Sequence, residues 1–469
     1  MTNYNIRSLL TLPADLNRVQ HMPSPEGHLS SLAWHEFDSS ELGDAKSKQL
    51  GYAPNQQSAS STTIFTKPSG SDFQIHLSKH SYKPHISTGN AILNSLNGLE
   101  LIETRTQTVS PLTPSLALLQ NSRGMMGTSK PPDFAAIFEK LFSLGRASEN
   151  SQVQSVSGLW RAASEHQLLQ DPLLRLIDDA IQEKGLTPVG SREDAKNKPA
   201  GLLPSVHRPP VFQSSPFGWF YLSWTRLTSD EWVDALPVKV WVDWAMFVMR
   251  NAVGFSFLWE ATWYHKLADA IIEPNSVDPF SLIESQLEVM PWASDQVGQE
   301  VRNVASRMKW KTINAQKLRE RINDFFTEND MLGMDYAEAL SIAADNKALR
   351  QELSSIRQNR EGKHLVWEAV TASLTIRDAH VGSSDYYGFW KKNGPRITLV
   401  EPATEWLAAM ASLSSERPKS VIRLGEIMKS LRSLGLRPAV GDVVALLERA
   451  GLARGSDDAD LGLKIETAY

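Results

Sequence analysis

From Pro131 onward, apolar residues recur every three to four positions. Phe134, Ile137, Phe138, Leu141 and Phe142 mark one face of a helix that Gly145 closes. Leu159–Lys184 predicts one or two further helices, with Leu168, Leu169, Leu173, Leu174, Leu176 and Ile177 on the core face. The stretch 185–216, rich in Pro, Ser and Gly, predicts a long connection. Ser229-Asp230-Glu231 then starts a short helix, and Pro237 opens a long one running to about Ile272. That helix is apolar on nearly all sides, so it belongs in the middle of a domain. Asp243 and Arg250 lie seven residues apart on one of its faces, and each requires a partner. Helices are also predicted over Asp278–Val289, Ser294–Thr327, Asp335–Arg360 and Leu365–Ile376. Tyr386–Val400 predicts a hairpin turning at Asn393-Gly394.

The first 130 residues carry a different pattern. Residues 39–61 are polar without periodicity and predict a mobile loop. Residues 62–86 alternate weakly around Pro-Ser-Gly-Ser-Asp and predict a hairpin, and 98–109 predicts one more strand. The chain therefore divides into an α+β part (1–130), a helical domain with a Trp-rich central helix (131–400) and a C-terminal unit (401–469). The fold class is mainly α with a smaller α+β N-terminal part.

In the C-terminal unit, helices are predicted over Thr404–Ser412, Ser420–Ser433 and Val440–Ala450. Two extended pieces follow, Leu452–Arg454 and Leu463–Ile465, separated by GSDDAD. Three helices followed by a two-stranded wing resemble the winged-helix superfamily over about Glu401–Tyr469. The resemblance implies a module that docks on DNA or on protein. The third helix carries Asp442, Glu448 and Arg449, where base readout calls for Arg, Lys, Asn or Gln, so protein docking is the expectation. The Trp-dense helix together with this ending also resembles bacterial proteins of genome-defence neighbourhoods, which implies membership of an antiviral assembly.

Composition narrows the chemistry. The chain has 469 residues, a formal charge of −5 and no cysteine. A globally basic polyanion-binding surface is excluded, as are disulfides, thiolate zinc sites and thiol nucleophiles. The apolar run Leu9–Leu12 is too short for a secretory leader, which points to the cytoplasm. Val238–Leu267 holds Asp243, Arg250, Glu260 and His265, so it is not a membrane span.

No Walker, dinucleotide, nucleophile-elbow or HExxH signature occurs. Three sparse groups remain. His76, His80 and His85 could hold zinc, although no nearby carboxylate orients them; surface histidines on a loop are the plainer reading. Glu361-Gly362-Lys363 has the ExK spacing of metal-dependent nucleases without the strand context. Asp457, Asp458 and Asp460 fit a solvated wing tip.

Binding signals are denser. Arg302, Arg307, Lys309, Lys311, Lys317, Arg319 and Arg321 cluster on a predicted helix, where phosphate oxygens are the natural partner. Lys391, Lys392 and Arg396 accompany Tyr386, Tyr387, Phe389 and Trp390, a mixture suited to single strands or to an inward-packed hairpin. Arg423, Lys429 and Arg432 form the basic set of the C-terminal unit. The sequence thus predicts a non-enzymatic subunit or adaptor of a nucleic-acid-associated assembly. Its partners are other protein subunits and DNA or RNA, with no membrane and no cofactor. A DNA-binding winged-helix regulator and a metal-dependent hydrolase are the alternatives.

Overall fold

A helix with apolar residues on every side is stable only if others surround it, and a computed structural model of the chain is organised on that basis. The structure describes residues 4–10, 25–36, 74–75, 78–79, 87, 97–100, 107–118, 134–146, 154–182, 209–274, 278–290, 292, 305–360, 365–376, 385–393, 397–453 and 463–469. In chain order the elements are α1 (Ile6–Leu10), α2 (Pro25–Glu36), β1 (Asn97–Glu100), β2 (Gln107–Val109), α3 (Pro114–Leu118), α4 (Phe134–Leu144), α5 (Val156–Gln170) and α6 (Pro172–Gln182). Next come α7 (Pro216–Leu227), α8 (Asp230–Ala235), α9 (Val238–Ile272), α10 (Pro279–Glu284), α11 (Ala305–Glu328), α12 (Tyr336–Asp345), α13 (Lys347–Gln358) and α14 (Leu365–Leu374). The last are β3 (Trp390–Asn393), β4 (Ile397–Val400), α15 (Thr404–Ser414), β5 (Val421–Arg423), α16 (Leu424–Ser433), α17 (Val440–Arg449) and β6 (Lys464–Glu466). The protein is mainly α, and the described strands form three antiparallel two-stranded sheets, with one parallel bridge from Thr375 to Trp390 of β3.

Helix α9 is the axis. Helices α2, α4, α7, α11, α12, α13, α14 and α15 pack around it. Residues from Tyr4 to Ile465 contribute to one connected apolar core. Several tryptophans are its pins, because an indole buries a large ring and keeps one N–H for another segment. Trp224 donates to the Val156 carbonyl (3.2 Å), Trp241 to Leu227 (2.8 Å) and Trp263 to Leu9 (2.9 Å), while Trp406 donates to Asn251 Oδ1 (3.0 Å). Trp259 and Trp263 stack at 5.2 Å. Gly145 ends α4 where a Cβ would stand 2.0 Å from the Phe217 carbonyl oxygen, so only glycine lets α4 meet α7 there.

Several expectations are corrected. The predicted helix Asp335–Arg360 is two helices, because Asn346 leaves helical geometry and its side chain caps Leu349 N–H. Residues 98–109 fold as the β1–β2 hairpin instead of one strand. Gln74, Ile75, Ser78 and Lys79 are helical where a strand was expected, with Ser78 Oγ donating to the Gln74 carbonyl (2.8 Å); the rest of 62–86 and the predicted loop 39–61 lie outside the described residues, apart from these. Leu169 and Leu173 are 65% and 44% exposed, and the buried face around them belongs to Leu159, Trp160, Leu174, Leu176 and Ile177. Pro172 restarts the helix after Asp171, which shifts the face. Residues 421–423 form β5 instead of helix, since Val-Ile-Arg pairs with β6 and places Ile422 opposite buried Ile465.

Candidate nucleic-acid and partner interface

Of the seven cations predicted to cluster over 302–321 and make two adjacent helix faces positive, the five whose side chains are described go to different surroundings. Arg302 lies outside the described residues, and only the backbone of Arg307 is described. Lys309 Nζ stands 5.5 Å from the Trp310 ring centroid. Lys311 turns inward, and its carbonyl accepts from His265 Nε2 (3.0 Å). Lys317 is half-buried. Arg319 bonds the Tyr264 hydroxyl, which burial pushes above the ordinary phenol range. Arg321 pairs with Glu352 (2.6 Å) and lies 3.9 Å from Glu328. An amphipathic helix must bury one side, and α11 buries part of its basic run with it.

The α9–α11–α13 junction collects cations that no sequence window contained. Arg357, in the last turn of α13, pairs with Asp269 of α9 (2.8 Å), and its carbonyl accepts from Asn314 of α11 (3.0 Å). Arg360 lies 5.7 Å from the Trp310 centroid. Burial, opposed by the bond to the Lys311 carbonyl, lowers His265 to about 4. Burial, then repulsion from Lys266, lowers Lys311 to about 8, with Glu288 and Asp269 opposing. Asp269 is raised by burial against the pull of Arg357.

In the 385–400 hairpin the aromatics pack inward. Phe389 and Trp390 are fully buried, against Phe255, Trp406 and Trp367. Tyr386 remains exposed. Lys391 pairs with Glu401 (3.0 Å), Lys392 is exposed, and Arg396 lies outside the described residues.

In the C-terminal unit Arg423, Lys429 and Arg432 are all exposed. Arg423 stands directly opposite exposed Lys464 across the β5–β6 ladder, an unfavourable like-charge pair. Glu466 N–H also donates to the Leu452 carbonyl (3.0 Å), so β6 runs between β5 and the chain leaving α17. The α16–α17 turn is buried. Gly435 adopts φ +76°, its carbonyl accepts from Val289 N–H (2.9 Å), and a Cβ there would meet Val289 Cγ1 at 2.6 Å. Arg437 donates to the Gln286 carbonyl (2.8 Å). Facing outward on α17 are Gly441, Ala445, Glu448 and Arg449.

His76, His80 and His85, the 361–363 triplet and Asp457, Asp458 and Asp460 lie outside the described residues. Among the described residues no group of three His, Asp or Glu is placed to hold a metal, and no helix is long and apolar enough to cross a membrane. Neither family models, curated proteins nor solved structures gave a match to this chain.

Proposed function

We propose that the chain is a non-enzymatic adaptor subunit of a nucleic-acid-associated assembly, of the genome-defence kind, that docks through a winged-helix module formed by residues 401–469. The observation that carries this reading is the outer face of α17. A base-reading helix needs several long donors, and this one offers only Arg449 beside Gly441, Ala445 and Glu448. Small residues admit a close protein partner. The neighbouring turn, held by Val289 and Gln286, fixes the orientation of that face relative to the core.

The test is co-purification of the tagged chain from its native cells, wild type against Ala445→Arg. Ala445 is exposed, so the variant folds. Defined subunits at fixed stoichiometry with the wild type, lost with Ala445→Arg, are expected. A monomer without partners, or partners indifferent to Ala445→Arg, overturns the reading.

A second reading, a DNA-binding regulator, is favoured by the Arg423–Lys464 juxtaposition beside Lys429 and Arg432. Phosphate would relieve that repulsion. Unchanged duplex affinity in the R423E/K429E/R432E variant removes it.

A further inference from the structure

Three helices bring five cations to one place. Lys266 comes from the last third of α9, Lys309 and Lys311 from the start of α11, and Arg357 and Arg360 from the end of α13 and just beyond it. Among the described residues, the acids facing them are Asp269, Glu273 and Glu288, and Asp269 is already taken by Arg357. His265 adds no charge at neutral pH. Trp310 holds Lys309 and Arg360 by cation–π contact at 5.5 and 5.7 Å, restricting two otherwise mobile side chains.

Lys311 is the informative member. It is half-buried, and among the described residues its ammonium makes no hydrogen bond or ion pair, while its carbonyl accepts from His265. A lysine whose only role was packing would be better replaced by an apolar residue, because partial burial and repulsion from Lys266 both disfavour its charge. A chain that keeps it there, beside four more cations, is built to receive an anion.

We propose that Lys266, Lys309, Lys311, Arg357 and Arg360 form a phosphate cradle that grips the backbone of a nucleic-acid strand, an occupant that rests on the nucleic-acid-associated reading above. Lys311 lies at the base and meets a phosphate oxygen directly. Lys309 and Arg360, splayed around Trp310, reach adjacent phosphates, and Lys266 supplies a further exposed charge. These are contacts to phosphate and not to base edges, so binding is indifferent to sequence.

Full-length protein is titrated into short fluorescein-labelled single strands and duplexes of DNA and RNA, with anisotropy read across a salt series. The K309E/R360E variant alters half-exposed and exposed positions. It is expected to bind about tenfold more weakly at low salt, with the log–log salt slope reduced by about two. Lys311→Met is expected to weaken binding while raising the urea midpoint, a combination that a purely structural lysine would not give. The K140E/R175E variant, at exposed positions on α4 and α6, is expected to leave affinity and slope unchanged.

Wild-type affinity retained in both cradle variants overturns the proposal but leaves the adaptor reading intact, as does binding weakened equally in K140E/R175E. Absence of any oligonucleotide binding by the wild type overturns the cradle's occupant and the nucleic-acid half of that reading. In that case, heat of binding from inorganic phosphate alone would reassign the cluster to a free anion. Loss of native-cell partners in Ala445→Arg with the cradle still functional separates the two sites.

Discussion

Arg250, in the middle of α9, closes a two-pronged ion pair on Asp385, 2.9 and 3.0 Å from its two carboxylate oxygens, with both residues buried. The same guanidinium donates to the Ser373 carbonyl (2.7 Å) and the Thr375 carbonyl (2.9 Å). One side chain therefore fixes the end of α14 and the entry to the β3–β4 hairpin. Arg250→Met strands the Asp385 charge and is expected to cost about 3–5 kcal/mol in urea unfolding. The R250M/D385L double variant is expected to recover part of that loss. A single-variant loss below about 1 kcal/mol would show the clasp to be dispensable.

Gly435→Ala tests how the C-terminal unit is seated. The substitution forces a side chain into positive φ and against Val289. A loss of about 1–3 kcal/mol is expected, together with faster amide exchange at Val289, whose N–H bonds the Gly435 carbonyl. Unchanged protection at Val289 would contradict that seating.

His265 predicts an acid sensitivity. Its folded pKa, about 4, lies below the ordinary value, so the unfolded chain takes the proton first. Its contribution is complete above about pH 6.5 and drains away as pH falls towards 4, by about 3 kcal/mol at most. Glutamine keeps a donor for the Lys311 carbonyl and does not titrate. The urea midpoint of His265→Gln is expected to fall less than that of the wild type between pH 7 and 4; parallel curves would rule out this histidine as the cause.

Asn346→Ala removes the cap of α13 and is expected to cost about 0.5–2 kcal/mol, whereas Asn346→Gly costs only a few tenths. Thermal unfolding of both variants checks the difference. Equal losses would mean that the Leu349 N–H is satisfied another way.

Elements were legible where local signals agree. Pro237 and the apolar run after it predicted a long helix to about Ile272, and the structure has Val238–Ile272 with Pro237 just before it, while Gly145 and Ser229 mark ends that the structure keeps. The requirement that Arg250 find a buried partner was also readable, but not the partner: Asp385 is 135 residues away. Asn346 was missed because a cap inside a helix-favouring stretch weighs little in a periodicity count. In the candidate site, Lys309 and Lys311 were visible as part of a charge run, while Lys266, Arg357 and Arg360 were not. Nothing local sets one surface cation apart from another. Lys464 opposite Arg423 was hidden for the same reason, since strand pairing is a non-local choice.

By itself the sequence determined the helical class, the central position of α9 and the exclusion of thiol chemistry, because periodicity, proline placement and residue inventory are properties of short windows. Tertiary structure alone decided which cations face each other, which aromatic rings turn inward and which face of α17 stays open. Those outcomes depend on how helices far apart in sequence share one buried volume, and no window of residues contains that information.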